Sequence, residues 1–339
     1  MPKIAQLTAP RTIAIKERKP LTANDHEVVI GVETAGVCGT DLALFSGDYP
    51  VPLPLVCGHE FVGIVKSIGD GGDKRWLGRR VTAEINNTCV TYNRSSLCRA
   101  CEMGMPGHCQ KRTVTGIIAH DGAFAEEVAV AAGTLHEIPE NLDPVLAALT
   151  EPLAAALQTF EMTPVTGKET VVVCGPGRLG ILIIFVAALK GCRVIAVSRS
   201  QAKRQRALQF GASQACSPEE AESVIKALTD GLGADIAVDA TGHPDGITQA
   251  LSLVRPRGIV SVKTTCGLPA RGLDMTKLVV DEIRLQGSRC GPFGPALKIL
   301  SKHQDQLKTL ITSIRPLEQA QKALETAASE NKVMLKMSL

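Results

Sequence analysis

Residues 170–190 read TVVVCGPGRLGILIIFVAALK, and the order of residue types within them decides the fold. A strand-forming run, 170–174, enters Gly175-Pro176-Gly177-Arg178-Leu179-Gly180, and an apolar helical stretch follows. The hexapeptide has the glycine-x-glycine-x-x-glycine spacing in the strand–turn–helix setting that gives the spacing meaning. Gly175 permits the tight turn, Gly177 lets backbone approach a pyrophosphate, and Gly180 lets helix and strand pack closely. The helix start, with Arg178 and Leu179 in its first turn, offers free N–H groups and partial positive charge to phosphates. The reading is a dinucleotide-binding turn, with a plain structural glycine turn as its bland rival.

Toward the C-terminus the pattern alternates. Strands are expected at 193–197, 234–240, 258–264 and 282–287, with helices at 179–190, 201–210 and 246–254. Such alternation implies a parallel sheet wrapped on both faces, an α/β, doubly wound unit. At the end of the second strand, where NAD sites place a carboxylate on the ribose, stand Ser198 and Arg199, with Lys203 and Arg204 behind. A hydroxyl and cations can hold a 2′-phosphate that a carboxylate would repel. NADP(H) is therefore favoured over NAD(H), which stays the alternative; an ordinary basic helix start is the competing account.

Toward the N-terminus the texture is different. Short β-branched runs at 27–32, 62–65 and 80–83, punctuated by Gly and Pro, suggest a compact, mostly antiparallel β domain. Helical patterning from 144 to 160 marks the change. The expected organisation is a catalytic domain at 1–150 with a lobe at about 86–112, a dinucleotide domain at 151–288, and a mostly helical segment at 289–339 that returns to the first domain.

Composition sets the limits. The chain has 339 residues, 45% apolar and 21% charged, which fits globular domains and excludes a disordered chain. Lysine and arginine number 37 against 34 acids, and only ten residues are aromatic, so nucleic-acid and membrane-surface binding are not expected. The longest apolar run, 181–189, is about half a bilayer span. No secretory segment is apparent and a cytoplasmic location is expected. Eleven cysteines in that setting suggest thiols and metal sites rather than disulfides.

Two clusters carry metal chemistry. Cys38-Gly39-Thr40-Asp41 is followed by Gly58-His59-Glu60; Cys and His are good zinc ligands, and three protein ligands with an open position make a catalytic site. Cys89, Cys98, Cys101 and Cys109 form a C-x8-C-x2-C-x7-C array, suited to a zinc that staples a lobe with little core of its own. Cys57, Cys174, Cys192, Cys216, Cys266 and Cys290 read as buried small hydrophobes.

With Gly36 to Asp41, Gly58-His59-Glu60, the four-cysteine lobe, Thr150-Glu151-Pro152-Leu153, the glycine turn and Asp239-Ala240-Thr241-Gly242, the whole chain resembles the zinc-containing medium-chain dehydrogenase/reductase superfamily of alcohol and polyol dehydrogenases. The stretch 280–293 resembles a less characterised bacterial alcohol-dehydrogenase-like subgroup. The resemblance implies a GroES-like catalytic domain beside a Rossmann domain, two zinc ions per chain and a homodimer or homotetramer. It implies zinc ligation by Cys38 and His59, with Glu60 as ligand or near-ligand and Glu151 binding directly or through water. Asp41 would orient His59, and Thr40 would begin a proton relay from the substrate hydroxyl. The implied reaction is hydride transfer between the nicotinamide and a small alcohol or polyol, or its carbonyl partner. A catalytically silent NADP(H)-sensing protein on the same scaffold is the alternative.

This chain departs from the family pattern twice. The lobe spacing widens after its first cysteine, so that an ungapped frame would put Ser95 at the first ligand position. Ala43 stands where many relatives carry a proton-passing histidine.

Overall fold

The structure is a computed structural model, describing residues 1–264 and 268–338. It divides into two compact units, Met1–Glu151 with Phe293–Leu339, and Pro152–Pro292. Among the described residues no helix is long and apolar enough to cross a membrane.

The first unit is built on a seven-stranded sheet. In hydrogen-bonded order its path is Leu135–Glu137, Arg80–Ala83, Glu60–Ile68, Glu27–Gly36, Val333–Lys336 and Ser313–Pro316, with Glu127–Ala131 also pairing to Glu27–Gly36. All pairs are antiparallel except the last two strands, which run parallel to each other. Glu27–Gly36 is buried at every position but Glu33, as a strand covered on both faces must be. A smaller sheet joins Thr12–Glu17, Lys3–Ala9 and Leu55–Val56.

The C-terminal segment is not mostly helical, as its local pattern suggests. It carries the helices Phe293–Lys302, Gln304–Lys308 and Ala320–Ala327, but also two strands of the main sheet. Val333, Met334 and Leu335 are fully buried beside Glu27–Gly36, and that packing outweighs the helical leaning of the sequence around them. The single helix expected at 144–160 is likewise two, Pro144–Ala147 and Thr150–Met162. Asp143 caps the first by accepting from the backbone N–H groups of Val145 and Leu146, and proline at its first position supplies a ready φ.

The second unit has a six-stranded sheet, parallel throughout, in the order Gln214–Cys216, Arg193–Val197, Thr170–Cys174, Ala234–Asp239, Val254–Val262, Arg284–Gly287. Numbered along the chain this is 3-2-1-4-5-6, the doubly wound order of Rossmann sheets. The sequence reading missed the edge strand Gln214–Cys216 and the helix Pro218–Leu228, which Ser217 opens with a capping box to Glu220. Helix Arg178–Leu189 is buried from Gly180 to Ala187, which explains why it is apolar all round.

Of the cysteines read as core residues, Cys57, Cys174, Cys192 and Cys216 are buried, whereas Cys290 is only half-buried in the turn after the last strand. Cys266 lies outside the described residues.

Candidate active site and metal centres

Cys38 lies two residues past the strand Glu27–Gly36 and caps the eight-residue helix Gly39–Ser46. Asp41, fully buried in the first turn of that helix, fixes the geometry. Its Oδ2 accepts from the Cys38 backbone N–H at 2.8 Å, and its Oδ1 accepts from the Gly58 N–H at 3.1 Å. The same Oδ1 lies 3.5 Å from His59 Nδ1. One carboxylate thus ties together the two segments that carry Cys38 and His59.

The ligand atoms of Cys38, His59 and Glu60 lie within 4.8 Å of one another. Burial alone would lower the His59 pKa, but the Asp41 carboxylate and the Cys38 thiol together hold it well above its ordinary value. The pocket therefore attracts positive charge. His59 Nδ1 is buried without a hydrogen bond that satisfies it, although it faces Asp41. A cation gathered by a thiolate, an imidazole and a carboxylate, with Asp41 behind the imidazole, accounts for this arrangement, and the donor set suits zinc. Thr40 Oγ1 is 3.9 Å from Cys38 Sγ.

Glu60 carries a partner that sequence reasoning missed: Lys332, buried, makes a close ion pair with Glu60 Oε2. The two are 272 positions apart, and no local pattern in the sequence links them. Glu151, buried in the first turn of helix Thr150–Met162, is not among the residues whose ligand atoms converge on Cys38.

The four lobe cysteines converge as well. Cys109 Sγ is 3.5 Å from Cys89 Sγ and 3.7 Å from Cys98 Sγ. Four thiolates about 2.3 Å from one zinc ion would stand about 3.8 Å apart, so the cage has the dimensions of a closed tetrahedral site. Backbone N–H groups of Cys89 and Lys111 point at Cys109 Sγ, and that of Gln110 at Cys98 Sγ. Backbone N–H groups of Cys101 and Gln110 draw the Cys98 thiol down to about 6, while burial pushes Cys101 up to about 12. Cys89 reaches the cage despite its distance along the chain, because the turn after the short strand Asn86–Asn87 folds back onto it.

In the second unit Gly175 adopts φ +86°, and a Cβ on Gly180 would collide with the Gly175 carbonyl oxygen. Among the described residues, no atom beyond its own chain neighbours lies within 4 Å of where a Gly177 Cβ would be, so the face of the turn that Gly177 presents is open. Gly177 caps helix Arg178–Leu189, in which Arg178 and Leu179 form the first turn. The strand Arg193–Val197 delivers Ser198 beside this turn, through the Gly175 N–H to Val197 carbonyl bond at 3.1 Å. Arg204 folds back to donate to the Ser198 carbonyl at 2.6 Å and the Arg199 carbonyl at 3.0 Å. Arg199 and Lys203 are exposed. Glu219 and Glu220 stand near this basic group; hydrogen bonds from the backbone and Ser217, aided by Arg199 and Arg204, hold both below the usual carboxylate range.

Comparisons with known proteins show the family. Residues 24–140 match the alcohol dehydrogenase GroES-like domain, and residues 179–302 match the zinc-binding dehydrogenase family. Sorbitol dehydrogenase of Halalkalibacterium halodurans is 32% identical over 93% of this chain and 92% of its own length. L-threonine 3-dehydrogenase of Bacillus subtilis is 31% identical over 90% and 88%. A zinc-binding dehydrogenase from Sinorhizobium meliloti 1021, solved bound to NADP, superposes with a TM-score of 0.87 at 28% identity over 99% of both chains.

Proposed function

Because the chain belongs to the zinc-containing, alcohol-dehydrogenase-like medium-chain dehydrogenase/reductase superfamily, we propose that it transfers hydride between NADP(H) and an alcohol or polyol, or the matching aldehyde or ketone. The observation that carries this reading is the convergence of the ligand atoms of Cys38, His59 and Glu60 within 4.8 Å of one another. A zinc ion held there supplies Lewis acidity toward an alcohol or carbonyl oxygen. A nicotinamide dinucleotide supplies the hydride acceptor or donor.

The remaining work falls to the chain. Asp41 holds the Cys38 and Gly58 backbones and presents a negative face to His59 Nδ1, fixing the imidazole's orientation. Thr40, two residues beyond Cys38, would accept the hydroxyl proton of a substrate at its Oγ1 while releasing its own hydroxyl proton to the next acceptor. Glu151, outside the three-residue cluster, would act on the metal through a bridging water. The glycine turn and the N–H groups at the start of helix Arg178–Leu189 receive the pyrophosphate. A second zinc in the Cys89/Cys98/Cys101/Cys109 cage holds the lobe in shape.

NADP(H) is supported by the absence of a carboxylate at positions 198 and 199 and by the cations of Arg199, Lys203 and Arg204; the NADP-bound relative agrees. Glu219 and Glu220 oppose it by partly neutralising that charge, leaving NAD(H) the weaker alternative. The relatives named for sorbitol and L-threonine support a hydroxyl-bearing substrate without selecting one.

Metal analysis and a panel of alcohols, polyols and carbonyls against both cofactors test the proposal. The expected result is about two zinc ions per chain and NADPH-linked turnover. Cys38→Ser should lower kcat/KM by at least about a thousandfold while NADPH binding changes little, because the metal acts on the substrate oxygen. A chain that binds NADPH but holds only the lobe ion would establish a silent sensor instead.

A further inference from the structure

The widened spacing between Cys89 and Cys98 builds more than a longer route to the cage. Its first residues fold back tightly, the backbone N–H groups of Tyr92, Asn93 and Arg94 donating to the Thr88, Val90 and Cys89 carbonyls at 2.9–3.0 Å. The turn is then pinned at two points. The Gly133 N–H donates to the Thr91 carbonyl at 3.0 Å, and a Cβ at Gly133 would lie 2.6 Å from that oxygen, so the approach requires glycine. Tyr92 Oη donates to Glu27 Oε1 at 3.1 Å, while Glu27 Oε2 accepts from the backbone and side-chain amides of Asn24. Burial and the Glu27 charge push the Tyr92 phenol up to about 12, so it remains a donor.

Between this turn and residues 23–27 lies an open groove of about 950 Å³. The lobe brings Arg94, Lys111, Ser95 and Ser96 to its lining, all exposed, with the Arg94 guanidinium 5.3 Å from the Tyr92 ring. Among the described residues neither cation makes an ion pair, and neither serine hydroxyl makes a hydrogen bond. The facing segment brings Asn24 and Asp25, also exposed, whereas Glu27 is buried and already occupied. A lone surface cation is satisfied by water. Here two cations and two hydroxyls on a braced turn share one groove with a carboxylate and an amide. The first set suits a phosphoryl group. A carboxylate repels such a group but accepts hydrogen bonds from hydroxyls. The two segments together fit a ligand that is anionic at one end and hydroxylated at the other.

We propose that this groove is a second ligand site, which takes the phosphate monoester of a small polyol. The phosphoryl group meets Arg94, Lys111 and the two serines, and the hydroxyls meet Asn24 and Asp25. None of Cys38, His59 and Glu60 lines the groove, so the inference does not rest on the zinc reading of that cluster.

The test is calorimetric titration of the full-length chain with glycerol 3-phosphate, with inorganic phosphate as the anion alone, and with glycerol as the hydroxyls alone. Glycerol 3-phosphate should bind at least about tenfold more tightly than phosphate, and glycerol should show no saturable binding. Arg94→Gln combined with Lys111→Gln should weaken both anions at the groove by at least about tenfold while Tm stays unchanged. Phosphate held at the glycine turn is common to both chains and cancels in that comparison. Asp25→Ala gives a sign that a merely basic surface would not. Phosphate alone should then bind as well or better, whereas the advantage of glycerol 3-phosphate over phosphate should fall at least about fivefold. The proposal is overturned by a lack of saturable glycerol 3-phosphate binding, or by binding that survives loss of both cations. An advantage untouched by Asp25→Ala overturns it too, leaving an anion-attracting surface only. If the doubly substituted chain does not fold, a crystal structure of the native chain with glycerol 3-phosphate decides. A phosphoryl oxygen within about 3.2 Å of Arg94 or Lys111 supports the proposal, and a phosphoryl group found only elsewhere overturns it.

Discussion

On the proposed reading, Ser198 is a single residue on which the choice between two cofactors turns. It follows the strand Arg193–Val197 and lies under the Arg204 guanidinium, which donates to its carbonyl. Ser198→Asp would bring a carboxylate to the place proposed here for a ribose hydroxyl or its phosphate. It should lower the preference for NADPH over NADH, as the ratio of kcat/KM values, by at least about tenfold, the effect of losing one charge-assisted hydrogen bond of roughly 1.5–3 kcal/mol. An unchanged ratio would place the 2′-phosphate elsewhere. At this scale the sequence is legible only where neighbours along the chain do the work. Cys38, Asp41, His59 and Glu60 sit in two short motifs whose spacing announces them. Lys332 has no such company: it reads as one more charged residue in a C-terminal tail, and only the pairing of Met334 with Gly36 brings it to Glu60.

The lobe is the element whose stability depends most on chemistry other than packing. Its buried apolar members among the described residues are the four cysteines themselves, with Ala100 packed against them. Thiols so close together, with backbone N–H groups already aimed at sulfur, have no apolar core to take over if the ion is lost. Cys101→Ser should therefore lower Tm by about 5 °C or more and leave the chain holding one zinc. A Tm equal to that of the native chain would mean the cage is not structural. Among elements, those with strong local patterns were legible: Thr170–Cys174, Arg193–Val197 and Arg80–Ala83 have the bounds expected of them. Val333–Lys336 was not, because four residues carry too little pattern and their strand character comes from the slot they fill beside Glu27–Gly36. Gln214–Cys216, three residues at a sheet edge, escaped for the same reason.

On the scale of the molecule, the continuous unit Pro152–Pro292 interrupts a unit made from two separate stretches of chain. Its six strands all pair within it, so a fragment of residues 152–292 should unfold cooperatively in urea and enhance NADPH fluorescence on binding. A fragment of residues 1–151 should not fold cooperatively, since it lacks Ser313–Pro316, Val333–Lys336 and the lysine that meets Glu60. Cooperative unfolding of that fragment would show that the C-terminal strands are dispensable. The interleaving also orders events during synthesis. Domains tend to fold as they leave the ribosome, the N-terminal one first. Here the nucleotide-binding unit can mature while translation continues, whereas the unit begun earliest must wait, its central strand lacking one partner at Thr34–Gly36, until residues 313–336 have emerged. Those late residues set the moment at which the nascent chain can close its first-made sheet.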